Sequence, residues 1–99
     1  MFAVDQIIEI RIDENGRLHV KPNQNSFPLI WQSATEVHWD EKEFSLYSPK
    51  PREWSYLDWY KHIITVISNE CSCKLIITEK TKWINIPDDL KSQILKFNH

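Results

Sequence analysis

The residues best suited to chemistry in this 99-residue chain are two cysteines separated by one serine, Cys71 and Cys73. A reactive cysteine needs a lowered thiol pKa, which a helix N-terminus or a nearby cation provides. Apolar periodicity upstream instead places Cys71 just past a helix C-terminus, where the helix dipole disfavours a thiolate. Two cysteines this close are also too few for a secreted disulfide framework. We therefore expect reduced, structural thiols.

A metal site would have to combine these thiols with scattered histidines. Zinc sites usually take ligands in two closely spaced pairs, such as C-x₂-C followed by H-x₃-H, and a lone C-x-C lacks that pattern. The sequence therefore predicts no metal, and we expect His62 to be solvated on the polar face of a helix. The four histidines are His19, His38, His62 and His99.

Composition narrows the remaining functions. A single glycine excludes both common nucleotide-binding loops, which need two or three glycines at fixed positions, so no cofactor is expected. Twelve basic and fourteen acidic residues leave no basic excess, which argues against a nucleic-acid partner. No apolar run approaches a membrane span, and the first residues lack the regions of a secretory signal. A cytoplasmic location without membrane contact is expected.

The most distinctive stretch, SPKPREWSYLDWYKHI at 48–63, is rich in aromatic residues. Ser55 and Asp58 resemble a capping box, with Trp54 available as a hydrophobic staple, so a helix is expected over about 56–69. The apolar residues of that helix fall within half of the helical wheel, which is typical of a core-facing surface. The alternative is a ligand pocket between helix and sheet. Its predicted lining is Trp31, Trp54 and Trp59.

Three β-hairpins are predicted around this helix. The first, over 6–22, turns at 14–16, because only that register gives one apolar face and one face of complementary charges. The second joins 36–39 to 44–47, and the third, Cys73 to Ile86, turns at Lys80-Thr81. The predicted pairs are Ile12 with Leu18, Ile10 with Val20, Glu9 with Lys21, Trp39 with Phe44, Val37 with Leu46, and Ile77 with Ile84.

These elements predict one domain over residues 1–99. Its size fits a single hydrophobic core, and a last helix is expected to begin at Pro87-Asp88-Asp89. The FPLIW segment, 27–31, is either an edge strand or a covering loop, since Pro28 cannot donate to a central ladder. The fold class is α+β: a two-layer sandwich with a largely antiparallel sheet of three hairpins and two helices on one face.

The outer face, meaning the sheet face opposite the helices, is the expected interaction surface. The predicted registers place large side chains in a polar setting there, as in protein interfaces, unless FPLIW or the N-terminus covers them. Nucleic-acid binding by Trp83 and its flanking lysines ranks last. The predicted face contains Arg11, His19, His38, Tyr47, Ile76, Thr78 and Trp83. Those expected to contact a partner are Trp83, Tyr47, Ile76, His38 and Arg11.

Three segments, IRIDENGRLHV, REWSYLDWYKHI and IPDDLK, resemble small bacterial proteins carried on mobile gene cassettes, the integron cassette proteins. The resemblance covers most of the chain, includes no catalytic motif and transfers no site residues. It implies a compact, often oligomeric α+β protein, in some cases similar to immunity proteins that occlude a toxin. We expect a non-enzymatic protein–protein interaction module, of immunity or accessory type, that could act as a homodimer. The alternative is a small-ligand binder or enzyme using the aromatic pocket.

Overall fold

The computed structural model describes residues 3–34 and 36–97. Their five strands form one sheet in the order β3-β4-β2-β1-β5, antiparallel except where β5 runs parallel to β1. Both α-helices pack on one face, so the predicted α+β fold is confirmed. The elements are β1 (Ala3–Ile12), β2 (Leu18–Pro22), a 3₁₀ helix (Ile30–Gln32), β3 (His38–Asp40), β4 (Ser45–Tyr47), α1 (Tyr56–Cys71), β5 (Cys73–Ile84) and α2 (Asp88–Phe97).

The first hairpin and α1 form as their local sequences predict. Ile12 lies opposite Leu18 across the β1–β2 pair, and Gly16 supplies the positive φ of +80° that the turn requires. Helix α1 starts with a complete capping box between Ser55 and Asp58. It extends to Cys71, two residues beyond the predicted end.

The second hairpin forms, but its predicted register is wrong by two residues. Trp39 pairs with Leu46 rather than Phe44, because Asp40 belongs to β3 and Phe44 to the loop. The Asp40 carboxylate accepts hydrogen bonds from the backbone N–H groups of Lys42 and Glu43, and Phe44 adopts a left-handed φ of 57°. A two-residue shift preserves the face, so Trp39 still packs toward the core.

The predicted third hairpin is wrong, because Cys73–Ile84 is one continuous edge strand. The residues expected to turn form a bulge instead, in which the Thr81 hydroxyl donates to the Ile7 carbonyl at 2.6 Å and accepts from the Thr78 N–H. Beyond the bulge the strand returns to β1, and Trp83 pairs with Ile10. Paired residues share a sheet face, so Trp83 lies on the helix side and not on the outer face.

The FPLIW segment is a covering loop with a 3₁₀ turn rather than a strand. Phe27 and Ile30 are buried in the core, and the Phe27 ring meets Trp39 edge-on with centroids 5.9 Å apart. Leu29 and Trp31 point away from that core and are about 60% exposed, at 62% and 58%. The segment therefore packs against the core with two side chains and presents two large apolar ones to solvent.

Candidate functional site

One candidate site is a cavity of about 520 Å³ where the linker from the sheet reaches the first turns of α1. Pro49 and Pro51 cannot join a ladder, so the chain leaves the sheet and crosses to the helix cap at Ser55. We call this cavity the aromatic hollow. Its lining residues are Glu36, Pro49, Lys50, Arg52, Glu53, Trp54, Trp59 and His62.

Three rings in mutual contact form one wall of the hollow. Trp54 lies 4.8 Å from Trp59, and the His62 ring is 5.3 Å and 5.8 Å from them, all measured between centroids. Trp54 precedes the N-cap and Trp59 is the fourth helical residue, which are the positions of a hydrophobic staple. The contact therefore fixes how the linker enters α1. Trp54 remains 45% exposed, whereas Trp59 is 7% exposed.

The indole N–H groups of Trp59 and Trp39 are both buried without a hydrogen-bond acceptor among the described residues, and of the two only Trp59 lines the hollow. A buried donor without an acceptor costs about 1–3 kcal/mol, so such groups usually meet a water, an ion or a ligand. The staple accounts for the ring contact but leaves this N–H unsatisfied. Trp59 therefore contributes a buried, unsatisfied hydrogen-bond donor to the hollow.

His62 departs from its predicted solvated position. It is half-buried against both indoles, and this burial lowers its pKa below the ordinary value of 6.5. The neutral ring that results at pH 7 offers one nitrogen as donor and the other as acceptor.

The hollow is also lined by four charged side chains of balanced sign. Arg52 and Glu36 form a long, exposed ion pair of 3.8 Å between nitrogen and oxygen. Lys50 and Glu53 also line the hollow, and neither has an ion-pair partner in the ranges 3–34 and 36–97. The hollow thus joins an aromatic wall to one unpaired cation and one unpaired anion.

The predicted aromatic pocket is therefore partly assembled. Trp54 and Trp59 line one hollow, whereas Trp31 lies on the 3₁₀ helix and is not among its lining residues. Sequence reasoning missed the charged lining residues and His62, and among them Glu36 comes from a different part of the chain. Ligand binding at these residues stays a prediction.

A second cluster, which the sequence did not indicate, contains Ser45, His19 and Asp13. His19 Nε2 lies 2.7 Å from Asp13 Oδ2, and His19 Nδ1 lies 2.9 Å from Ser45 Oγ. These residue types perform nucleophilic catalysis when the hydroxyl can reach a substrate. Ser45 is only 1% exposed and His19 4%, so the cluster is a buried hydrogen-bond network rather than an open active site.

The outer face keeps four of its five predicted partner-binding residues. By strand register, Arg11, His38, Tyr47 and Ile76 lie on that face, and Tyr47 stacks between His38 and His19. Trp83 is the exception, because β5 continues where a turn was predicted and pairs Trp83 with Ile10 on the helix side, where the Lys91 ammonium lies 5.2 Å from its ring centroid. Partner binding by the other four stays a prediction.

The cysteines and histidines do not assemble a metal centre within the described residues. Both thiols are free, and burial raises the pKa of Cys71 and of Cys73. Cys71 is the last residue of α1, and His99 lies outside the described residues. No helix in ranges 3–34 and 36–97 is long and apolar enough to cross a membrane.

Comparison with known proteins identifies the family. The family model of Integron Cassette Protein Hfx_Cass5 matches residues 5–81. A solved structure of Integron Cassette Protein Hfx_Cass5, from the mobile metagenome of North West Arm Sewage Outfall, is 40% identical, covers 93% of this chain and 92% of that chain, and has a TM-score of 0.48. No curated protein matches the sequence. The chain belongs to the Hfx_Cass5 family of integron cassette proteins, as the sequence resemblance predicts.

Proposed function

We propose that the protein binds a small organic ligand in the aromatic hollow. The observation that carries this proposal is the buried indole N–H of Trp59, which lacks an acceptor among the described residues. A bound carbonyl, carboxylate or hydroxyl oxygen would supply that acceptor and recover the cost of burying the donor. The cavity volume of about 520 Å³ also falls within the range of small-molecule sites.

The ring spacing determines how a ligand would bind. Centroids 4.8 to 5.8 Å apart leave no gap between the rings of Trp54, Trp59 and His62, so nothing can be caged among them. The half-exposed Trp54 ring is the available stacking surface. The Trp59 N–H is buried, so a ligand can reach it only if a covering side chain moves. Trp54 is the exposed ring that contacts Trp59 and is the candidate for this movement.

A thermal-shift screen of metabolites, followed by ¹H–¹⁵N spectra of the indole N–H groups, tests the proposal. A ligand that binds only the folded state raises Tm, and its acceptor shifts the Trp59 resonance. The substitution Trp54→Leu keeps an apolar staple but removes the indole, so it should abolish or strongly weaken binding. Trp31→Leu is the matched control, because Trp31 is at least as exposed and lies outside the hollow.

Either of two results would overturn the proposal. One is a screen in which no compound shifts the Trp59 resonance. The other is a ligand whose affinity depends on Trp31 and is unchanged by Trp54→Leu.

Partner binding through the outer face is the second candidate function. It is favoured by apolar side chains that the register places on the outer side of β1 and β5: Val4 is 63% exposed, Ile84 is 41% exposed, and Ile76 pairs opposite Gln6. Exposed apolar side chains in a polar field are typical of interfaces. Light scattering after size-exclusion chromatography tests self-association: Ile76→Glu should convert a homodimer to a folded monomer, whereas Thr65→Glu on α1 should not. A monomeric wild type rules out the homodimer.

A further inference from the structure

We propose that the ligand of the aromatic hollow is an aromatic zwitterion, a compound with a flat ring, one ammonium and one carboxylate, such as a free aromatic amino acid. This inference rests on the proposed function and specifies its ligand class. It follows from the charges that line the hollow and from which of them remain unpaired.

The four charged residues of the hollow divide into a pair and two single charges. Arg52 and Glu36 lie 3.8 Å apart and form an exposed ion pair. Lys50 and Glu53 line the same cavity, and the described residues provide neither with an ion-pair partner. One cation and one anion are thus left to interact with a ligand, and a ligand with both charges satisfies both.

The position of Lys50 is restrained by the first hairpin. Its aliphatic stem lies against Gly16, where an added Cβ would be 3.1 Å from Lys50 Cγ. Glu53 directly precedes Trp54, whose contact with Trp59 is fixed by the staple. Both charges therefore lie on a linker held at its two ends, by the turn at Gly16 and by the helix cap.

The ring and the carboxylate of the ligand complete the match. A flat ring can stack on the half-exposed Trp54, and a carboxylate oxygen is a strong acceptor for the unpaired Trp59 N–H. Ligands with a net charge fit less well, because an added anion leaves Glu53 unmatched and an added cation leaves Lys50 unmatched.

Three probes with the same ring test the inference: L-phenylalanine, phenethylamine, which lacks the carboxylate, and 3-phenylpropionate, which lacks the ammonium. Binding is followed through the Trp59 indole N–H resonance, assigned with Trp59→Phe. L-Phenylalanine should bind more tightly than 3-phenylpropionate by roughly two- to five-fold, which is the worth of one exposed ion pair, and more tightly than phenethylamine by at least that factor.

Substitutions identify which charge is responsible. Lys50→Gln should reduce the preference for L-phenylalanine over phenethylamine to the part supplied by the Trp59 N–H, and Glu53→Gln should abolish its preference over 3-phenylpropionate. Lys42→Gln, outside the hollow, should change neither. The inference is overturned if either single-charge probe binds as tightly as L-phenylalanine while other compounds still bind in a Trp54-dependent way. If no compound binds in a Trp54-dependent way, the proposed function fails as well.

Discussion

Lowering the pH from 8 to 5 should destabilise the folded protein through His19. The Asp13 carboxylate can only accept, so His19 Nε2 carries the proton, and Nδ1 accepts from the Ser45 hydroxyl. Burial, reinforced by the positive charge of Arg11, lowers the His19 pKa below its ordinary value of 6.5, against the opposing effects of Asp13 and Asp40. Protonation would turn Nδ1 into a second donor, so the buried Ser45 hydroxyl would lose the acceptor to which it donates.

The sign and size of the effect follow from proton linkage. His19 takes up a proton near pH 6.5 in the unfolded chain but not in the folded one, so its contribution to the free energy of unfolding is largest above pH 6.5. It falls as the pH drops from 6.5 toward the lower pKa of the folded state. One histidine can contribute a slope of at most about 1.4 kcal/mol per pH unit across that window.

Urea unfolding monitored by tryptophan fluorescence between pH 5 and 8 measures this slope. His19→Gln should lower stability at pH 8 by about 1–3 kcal/mol, because the buried Ser45 hydroxyl loses its acceptor. It should also flatten the pH dependence. His62→Gln is the control: burial also lowers the His62 pKa, but its removal should leave the His19 contribution intact. If His19→Gln and wild type lose stability in parallel between pH 7 and 5, the reasoning is refuted.

Three further substitutions test the fold. Thr81→Val should cost about 1–3 kcal/mol in urea unfolding, since the Ile7 carbonyl loses its donor, and an effect no larger than that of exposed Thr65→Val would argue against this bond. Trp83→Ser should cost at least about 2 kcal/mol by the same assay, because the ring packs against the core, whereas a solvent-facing ring would cost almost nothing. Ser55→Ala should cost about 1 kcal/mol and speed amide exchange in the first turn of α1; unchanged exchange would contradict the capping role.

The parts of the fold that the sequence predicts correctly are those whose determinants are local. Gly16 follows Glu14-Asn15 between two alternating strands, and the turn closes where these residues allow it. Ser55 and Asp58 stand three residues apart before an apolar period, and the helix starts there. In both cases a few neighbouring residues supply the hydrogen bonds and backbone angles, so distant parts of the chain are not needed.

The third hairpin fails because its decisive partner lies about 70 residues away in the chain. Thr78 to Thr81 can form a turn or a bulge, and both satisfy the local backbone. The Ile7 carbonyl of β1 accepts the Thr81 hydroxyl, and β1 pairs with β5 on both sides of the bulge. Nothing within residues 73–86 indicates that partner. The predicted turn at 80–81 placed Trp83 on the wrong face. A two-residue turn puts Ile84 on the same face as Ile77, whereas a continuing strand puts Trp83 there.

The candidate site also depends on residues that are distant in the sequence. An aromatic residue type does not reveal its position: Trp31 and Trp54 are comparably exposed, yet only Trp54 lines the hollow. Glu36 enters from the segment before β3. The Ser45–His19–Asp13 network likewise joins two hairpins, and only the β2–β4 pairing brings Ser45 to His19.

The staple and the proposed ligand site share Trp54 and Trp59, so substitutions there can distinguish a structural role from a functional one. A staple needs only two apolar side chains at its positions, and leucine would serve there without burying any polar group. Trp59 adds a donor that the described residues do not satisfy, a cost that helix entry does not require. If the indole has a functional role, Trp59→Phe should reduce the free energy of ligand binding by more than it reduces the free energy of unfolding. If the role is only structural, Trp59→Phe should reduce stability without changing the spectra of any bound compound.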